Sequence, residues 1–518
     1  MGLLFQSIVP DLVALAALFF TGLYLYFTRN FNFWEKYDIP HLKPTPFIGN
    51  MKDVFFQKLC IPEFLKNIYE KQRDKPYVGI IAFDRPALIL NDLDLVKNVL
   101  VKDAHHFVNH MVGIRENVDP ALSRLVIMLK NEKWRQMRSN VTQVFTTNKL
   151  KKMIHLVVKC MKELGTYIEN VAAGGAPLDV MEIMSMYTTD LTSCCAFGIE
   201  SNSLKNPNAE IWVNHRKMLE FSVLYGFSSM LMVFAPNLQN LLRLKVFSEE
   251  YTGMLRRIIR SAIIYREKND LDRCDAVSCM IEMKKKGRNI NQNQRSVDST
   301  DYNEDDFVGI TFSFLFAGFE MAGCTLTYAL YELALNPEIQ NRLRAEITEV
   351  LTGHDQQVTY ESIQQMIYLD MVVSETLRKY PVLGFLDRVC LKDYELPHPS
   401  GKGTFTLPAG TGVYIPLLGI HRDPEYYPNP DTFNPENFSE ENKRSRHKLA
   451  FLPFGDGPRQ CIGYRFTYIQ VKSGLINILS RYEVAPCEET PVPLRFEPKS
   501  FILVPLDTVY LKFERIDA

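Results

Sequence analysis

The sequence lacks the features that mark disulfide-stapled, zinc-binding or nucleic-acid-binding proteins. Its ten cysteines are scattered along 518 residues without any CxxC or zinc-type spacing. Neither a disulfide framework nor a zinc site is therefore indicated, and a reducing compartment is the expected setting. The net charge of −1 gives no electrostatic case for nucleic acid as a partner.

The sequence also lacks a long linker rich in glycine, serine or proline that would divide it into several domains. Its 46% of apolar residues, including 12% aromatics, are enough to bury a substantial core. We therefore expect one large folded unit, residues 51–518, behind a short N-terminal segment.

Charge is absent from Leu12 to Phe27, and this stretch is apolar enough for a membrane helix. Arg29 and Lys36 follow it, whereas no lysine or arginine precedes it, so the positive-inside rule keeps the rest of the chain cytosolic. Residues 1–30 are predicted to be a membrane anchor. The alternative, a cleaved signal peptide, has neither a basic start nor a clear small-residue cleavage site in its favour.

Four residues that stiffen or turn a chain follow the predicted anchor: Pro40, Pro44, Pro46 and Gly49. Proline fixes its own backbone and restricts the residue before it. Residues 31–50 are therefore predicted to be a stiff connector between the anchor and the folded unit.

A tight turn precedes one cysteine near the C-terminus. Gly455, Gly457 and Pro458 lead to Cys461, and Tyr464 to Leu479 has the composition of a helix. Unpaired amides and the helix dipole at such an N-terminus favour thiolate, which is a metal ligand. The alternative is a glycine-rich turn with a buried cysteine that binds no metal.

This stretch resembles the haem-binding signature of the cytochromes P450 at every fixed position, namely Phe454, Gly455, Gly457, Arg459, Cys461 and Gly463. The resemblance implies haem b, iron protoporphyrin IX, with Cys461 as the axial thiolate and as the metal ligand. It also implies that Phe454, Arg459 and Gly463 contact the cofactor, with Arg459 facing a propionate.

Trp134 and Arg138 lie four residues apart in a helical context, so one helix face presents an indole N–H and a guanidinium together. The spacing is similar to the family's C-helix motif, which implies that this pair holds one propionate. By the same resemblance Arg388 contacts a propionate. A tryptophan packed under a surface arginine is the alternative for the first pair.

The stretch from Phe307 to Leu335 predicts a long helix. Small residues at Ala317 and Gly318 would let a flat group approach its backbone, although a glycine packed against a neighbouring helix is the alternative. The family places an acid and an alcohol here for proton delivery during oxygen activation. Glu320 supplies the acid, whereas Met321 occupies the alcohol position and cannot donate a proton.

We therefore expect protons to pass through Glu320 and ordered water, with Thr325, about one turn further along the helix, as a substitute. Glu320 and Thr325 are the candidate catalytic residues. Less efficient coupling, with more reducing equivalents lost to peroxide, is the expected consequence of Met321.

Glu375 and Arg378 share a helix face just before Tyr380-Pro381. They resemble the family's Glu-x-x-Arg motif, which implies a structural role on the side of the haem that carries the cysteine. The family's usual arginine after Pro435-Glu436 is Asn437 here. This departure leaves in doubt the three-residue network that the arginine normally completes.

The residue patterns of several further segments predict their local structure. Val78 to Ala82 and Ala87 to Leu90 predict paired strands, and Phe501 to Val504 a later one. Asp190 to Glu200 resembles arthropod microsomal P450s of family 6, with a helix end at Gly198. Five apolar residues from Met230 to Phe234 predict a segment that is either buried all round or touching lipid. Lys268 to Asp306 predicts a surface loop.

The resemblance implies a mainly α fold with a smaller β region, the cytochrome P450 fold, behind a transmembrane anchor. It implies a monooxygenase acting on lipophilic small molecules, foremost xenobiotics or plant toxins. Six apolar residues are predicted to line its cavity: Phe107, Ile114, Phe316, Phe319, Phe385 and Phe501.

The implied partners are NADPH-cytochrome P450 reductase, cytochrome b5 as an optional electron donor, membrane lipid and the substrate. The implied location is the endoplasmic reticulum membrane, with the catalytic domain on the cytosolic face. Synthesis of an endogenous hormone or lipid, a haem-thiolate isomerase or dehydratase without a reductase, and a non-catalytic haem or lipid binder remain alternatives.

Overall fold

Helices dominate the computed structural model, which describes residues 8–218, 220–273, 275–290 and 302–516. The α-helices of the first part are α1 (Ile8–Thr28), α2 (Lys52–Phe55), α3 (Ile61–Lys71), α4 (Leu93–Lys97), α5 (Asn131–Thr142), α6 (Thr147–Ala172), α7 (Val180–Thr192), α8 (Glu210–Met218), α9 (Val223–Phe234), α10 (Pro236–Leu241), α11 (Glu249–Asn269) and α12 (Ala276–Ile290). Those of the second part are α13 (Glu304–Phe316), α14 (Ala322–Leu335), α15 (Pro337–Thr352), α16 (Tyr360–Gln365), α17 (Ile367–Lys379), α18 (Leu417–His421), α19 (Glu440–Ser445) and α20 (Tyr464–Leu479).

The strands are few and short, which confirms the mainly α prediction. They are β1 (Tyr77–Ala82), β2 (Arg85–Leu90), β3 (Leu178–Asp179), β4 (Leu386–Val389), β5 (Tyr394–Pro397), β6 (Thr404–Leu407), β7 (Gly412–Ile415), β8 (Tyr482–Pro486) and β9 (Tyr510–Arg515). The largest sheet has the order β1-β2-β7-β4, in which only the β2–β7 pair is parallel. The smaller sheets are β3-β9-β8 and β5-β6.

Two described helices are long and apolar enough to cross a membrane, and burial separates them. The first, Val9–Thr28, has only 6% of its most apolar window buried within the fold, as expected of an anchor. The second, Glu304–Leu335, has 72% buried and is a core helix of the folded unit. The N-terminal apolar helix thus has the length and exposure of a membrane anchor.

The predicted connector lies against the largest sheet. The indole N–H of Trp34, a fully buried residue, donates to the carbonyl of Ile80 in β1 at 2.9 Å. Further along, single bridges join His41 to Gly79 and Gly49 to Ala82. Residues 31–50 are thus docked on the fold, and their stiffness comes from these contacts as well as from the prolines.

The central helix is interrupted in the middle by one wide turn. Between α13 and α14, Ala317–Met321 forms a π-helical turn, which we call the bulge. α14 packs against α7 and α20, and the bulge also packs against α7. Such bulges are rare and occur frequently at functional sites.

Three expectations for individual segments need correction or refinement. The predicted surface loop from Lys268 to Asp306 contains α12, since Ala276, Val277 and Met280 are buried and anchor a helix; residues 291–301 lie outside the described part. Phe501 to Val504 is not a strand, because its backbone makes single hydrogen bonds and no ladder: Leu503 donates to the carbonyl of Val382, and Glu497 donates to the carbonyl of Val504. Met230 to Phe234 is buried all round in the core, so the lipid alternative is wrong for these five residues.

Candidate active site

The cysteine loop is closed by backbone hydrogen bonds and needs two glycines. The amide of Cys461 donates to the carbonyl of Phe454 at 2.9 Å. Gly455 and Gly457 have φ values of 68° and 72°, in the left-handed region that favours glycine. A Cβ on Gly457 would also lie 1.9 Å from the carbonyl oxygen of Leu100. The loop can therefore take this shape only with glycine at 457.

Cys461 is half-buried, and Gly463 is the N-cap of α20, which begins at Tyr464 as predicted. Burial raises the pKa of the Cys461 thiol, although the amides of Gly463 and Tyr464 and the charge of Arg138 act in the opposite direction. The helix N-terminus alone is thus not enough to favour thiolate. A bound metal cation would supply the remaining positive charge, because a coordinating thiol is deprotonated.

A cluster of donors surrounds the cysteine loop, and two of its members lack acceptors. Trp134 and Arg138 lie on one face of α5. Within the described residues, neither the Trp134 indole N–H nor the Arg138 guanidinium has a hydrogen-bond acceptor. The guanidinium of Arg459 stacks on the Trp134 ring at 3.9 Å. The donors predicted for the propionates are therefore brought together.

Arg388, which is buried, and Arg459, which is half-buried, carry positive charge with little compensation. Arg388 in β4 is 3% exposed, and burial lowers its pKa to about 10. Burial, together with repulsion from Arg388 and Arg138, lowers the pKa of Arg459 to about 9. Arg459 also donates to the carbonyls of Val108 and Leu129, at 2.7 and 2.8 Å.

Two residues of this cluster, His110 and Asp387, were not predicted from the sequence. His110 Nδ1 lies 2.9 Å from Asp387 Oδ1, and both residues are buried. Burial alone would raise the pKa of Asp387, but His110 and Arg388 hold it at about 2. The pKa of His110 is lowered by burial despite this carboxylate. The only signal was that Asp387 precedes the predicted Arg388.

The donor set fits a flat dianion that coordinates sulfur. Among the described residues, Asp387 is the one carboxylate whose charge acts on Arg388 and Arg459, and no carboxylate is found to act on Arg138. Asp387 is already bound by His110 and by the amide of Met111. Two carboxylates would balance this excess and take up the free donors. Haem b carries two propionates and an iron that accepts a thiolate, so the residues present fit it.

The Arg388→Met variant is expected to lose haem at least about tenfold faster than the wild type. It removes one charge-assisted donor, worth about 1.5–3 kcal/mol, while keeping a side chain of similar length. Transfer of haem to excess apomyoglobin measures the rate. The control is Arg465→Met, because Arg465 follows the same loop but is exposed. Equal rates in both variants would remove Arg388 from the propionate site.

The bulge has its freed carbonyls bound from neighbouring helices. The hydroxyl of Thr188 in α7 donates to the carbonyl of Phe319 at 2.8 Å. The amide of Gln470 in α20 donates to the carbonyl of Gly318 at 3.1 Å. Backbone groups released by the wide turn are therefore satisfied, and the turn that carries Glu320 has a fixed shape.

The two small residues of the bulge have different surroundings. Ala317 is exposed although the turns on both sides of it are buried, which is expected of a residue that faces an internal gap. A Cβ on Gly318 would lie 2.6 Å from Thr192 of α7. Gly318 thus serves the contact with a neighbouring helix, and the expectation that it admits a flat group is wrong. Ala317 retains that role as a prediction.

Glu320 is buried and has no hydrogen-bond partner among the described residues. Burial raises the pKa of its carboxyl group to about 8. Its neighbour Met321 is half-buried. The hydroxyl of Thr325 donates to the carbonyl of Met321 at 2.8 Å, so its proton is engaged within the helix. Thr325 as the substitute alcohol stays a prediction, and this bond does not favour it.

The Glu-x-x-Arg pair is fully buried and doubly bonded. Nε and Nη2 of Arg378 donate to the two carboxylate oxygens of Glu375, at 2.7 and 2.8 Å. The amide of Asn437 donates to both oxygens at 3.2 Å. Arg446 donates to the carbonyl of Asn437 and stacks on Tyr427. The network left in doubt is therefore complete, with an amide and a neighbouring guanidinium in place of the usual arginine.

The six residues predicted to line the cavity differ in their surroundings. Phe316 stacks on Phe501 with ring centres 6.2 Å apart and is half-buried. Phe319 is turned away and stacks on His215 at 4.1 Å. Phe107 packs edge-on against Tyr394. Ile114 and Phe385 are buried, and their contact with a substrate stays a prediction.

The chain is similar to proteins of one family over nearly its whole length. The family model described as Cytochrome P450 matches residues 39–513. Cytochrome P450 6j1 of Blattella germanica is 44% identical over 99% of both chains. Cytochrome P450 6k1 of the same species is 40% identical over 98% of both. Cytochrome P450 6a2 of Drosophila melanogaster is 38% identical over 95% of this chain and 97% of its own.

Proposed function

Because the chain belongs to the cytochrome P450 family, whose members are haem-thiolate monooxygenases, we propose that it oxidises lipophilic xenobiotics or plant toxins. One atom of dioxygen enters the substrate, and NADPH-cytochrome P450 reductase supplies the electrons. The observation that carries the substrate class is a row of aromatic rings beside the bulge, in which Phe247, Phe312, Phe316 and Phe501 contact one another in turn. Such a wall offers apolar contact and few directional hydrogen bonds.

Haem bound in this site supplies the redox chemistry that activates dioxygen. The chain would hold it by the sulfur of Cys461 and, at its propionates, by Trp134, Arg138, Arg388 and Arg459. The positive charge of three guanidiniums, one of them buried (Arg388) and two half-buried (Arg138 and Arg459), also disfavours entry of a neutral ligand in place of the dianion. Glu320, as a carboxylic acid below about pH 8, holds a proton beside the bulge, and the aromatic wall excludes bulk water.

Reconstitution with reductase, NADPH and lipid tests the proposal. A panel of lipophilic compounds is offered, and products are identified by mass spectrometry with labelled dioxygen. Incorporation of one labelled atom into several unrelated apolar compounds supports broad oxidation. Turnover restricted to one endogenous hormone or lipid would replace the xenobiotic assignment, and turnover without NADPH would indicate the isomerase or dehydratase that Met321 allows. The same reaction with added cytochrome b5 tests whether cytochrome b5 raises the rate of product formation.

We also propose that the protein lies on the endoplasmic reticulum membrane, with its folded unit in the cytosol. Beyond α1, four strongly exposed apolar residues lie at the ends of α9 and α10: Val223, Leu224, Leu241 and Leu242. Such exposure is unusual on a surface that faces only water, and lipid contact accounts for it. Protection of the folded unit from protease added to intact microsomes distinguishes the lumenal from the cytosolic face of the membrane.

The Met321→Thr variant is expected to lower the ratio of peroxide to product about fivefold. Threonine adds a hydroxyl next to Glu320, and one neutral hydrogen bond is worth about 1 kcal/mol. Peroxide and product are measured at equal NADPH consumption. The control, Met321→Leu, keeps the volume without a donor. An unchanged ratio in the threonine variant would show that the missing hydroxyl does not limit coupling.

A further inference from the structure

Behind the bulge lies a buried set of polar side chains that the sequence analysis did not use. Nε2 of His215 in α8 is 2.8 Å from the hydroxyl of Tyr251 in α11. Nδ1 of His215 is 3.2 Å from the hydroxyl of Thr189 in α7. All three residues are buried, at 1% exposure or less. We call Thr189, His215 and Tyr251 the relay triad.

The relay triad is fixed relative to the bulge. The imidazole of His215 stacks on the ring of Phe319, with an angle of 5° between the planes and centres 4.1 Å apart. Phe319 directly precedes Glu320, and its carbonyl is held by Thr188. The same short stretch of helix therefore positions both the imidazole and the carboxyl group.

Glu320 needs a partner that the helix does not provide. It is 3% exposed, and a buried carboxyl group without a hydrogen bond is costly in either charge state. Its charge acts on the hydroxyls of Tyr225 and Tyr251 and on the thiol of Cys324. Among the described residues, these are the titratable groups on which its charge is found to act, from α9, α11 and α14, and none carries charge at neutral pH.

Resting on the proposed monooxygenase function, we propose that Tyr251, oriented by His215, is the hydroxyl partner of Glu320 and hydrogen-bonds its carboxyl group through one ordered water molecule. Tyr251 and His215 are thus positioning residues for the proton that Glu320 delivers. They compensate in part for the missing alcohol at position 321.

The imidazole of His215 allows Tyr251 to form this water-mediated hydrogen bond whether Glu320 is a carboxylate or a carboxylic acid. Burial lowers the pKa of His215 to about 3, so the ring is neutral and has one donor and one acceptor nitrogen. With the proton on Nε2, His215 donates to Tyr251, which is free to donate toward the carboxylate. With the proton on Nδ1, the hydroxyl of Tyr251 donates to Nε2 of His215. Its oxygen then accepts a hydrogen bond from the water molecule that is bound to the carboxylic acid of Glu320. No net charge enters the buried site in either case.

The experiment compares Tyr251→Phe with Tyr225→Phe in the full-length holoenzyme. Both lose a hydroxyl on which the charge of Glu320 acts, but only Tyr251 bonds His215. Infrared spectroscopy follows the protonated carboxyl band, assigned by its loss in Glu320→Gln, on both sides of the carboxyl pKa of about 8. Removing a donor to the charged form raises an acid's pKa, so Tyr251→Phe should move the titration midpoint up by about one pH unit.

In turnover, Tyr251→Phe should raise the ratio of peroxide to product about fivefold, as expected from the loss of one hydrogen bond. His215→Phe, which keeps the stack on Phe319, should move both readouts in the same direction, and it carries the test if Tyr251→Phe does not fold. Equal midpoints and equal peroxide ratios in Tyr251→Phe and Tyr225→Phe would overturn the proposal. Absence of NADPH-dependent turnover in the wild type would refute the proposed function, while the infrared midpoint would still decide the role of Tyr251.

Discussion

Replacing Cys461 with alanine is expected to abolish the thiolate-specific absorption band of the reduced, carbon monoxide-treated protein, together with all NADPH-dependent oxidation. Alanine leaves the loop free to close, because its amide can still donate to the carbonyl of Phe454. It removes the sulfur that we propose as the metal ligand; in this family a cysteine thiolate has that role. The spectrum and the rate of product formation are the two measurements.

The control for this prediction is Cys487→Ala, which removes another free, half-buried thiol at a distance from the loop. It should leave the band and the rate unchanged. Circular dichroism separates loss of the ligand from loss of the fold. A Cys461→Ala protein that keeps the band would contradict the assignment of the axial ligand.

Replacing Glu375 with alanine is expected to yield protein that retains almost no haem. The variant leaves the guanidinium of Arg378 fully buried without its carboxylate, although carbonyls of His421 and Thr432 remain near it. Breaking one partner of a buried ion pair costs about 3–5 kcal/mol, a large part of the 5–15 kcal/mol that typically stabilises a fold. The ratio of haem absorbance to protein absorbance, with thermal unfolding, measures the effect.

Glu361→Ala is the matched control, because the same side chain is removed from an exposed ion pair. Glu361 lies 2.7 Å from Lys151, and both side chains are about half exposed, at 57% and 48%. Such pairs contribute about 0–1 kcal/mol, so haem content and unfolding should match the wild type. If Glu375→Ala behaves like this control, the pair does not hold the fold together.

The sequence was most informative where a residue type has few structural roles. The glycines before Cys461 predicted the tight turn, and the structure shows a backbone contact at Gly457 that excludes any Cβ. The apolar run ending at Asn336-Pro337 predicted the central helix. The structure extends its start to Glu304, because Asn303 and Asp306 form a capping box there.

The sequence was least informative where a role depends on direction or on distant partners. Gly318 and Ala317 are adjacent and both small, yet one contacts α7 and the other is exposed, which depends on how the wide turn rotates the helix. Phe319 was expected in the cavity but stacks on His215, a residue about 100 positions earlier in the chain. The match of Arg446 with Asn437 could not be expected either, since the two meet only after the chain folds.

One side-chain amide joins the two halves of the site. Gln470 of α20 donates to the hydroxyl of Thr192 and to the carbonyl of Gly318, at 2.9 and 3.1 Å. A redox protein that docks beside the cysteine loop and displaces α20 by a fraction of an ångström would therefore strain the turn that carries Glu320. A shortened side chain such as Gln470→Ala would remove both hydrogen bonds and with them this link between α20 and the turn.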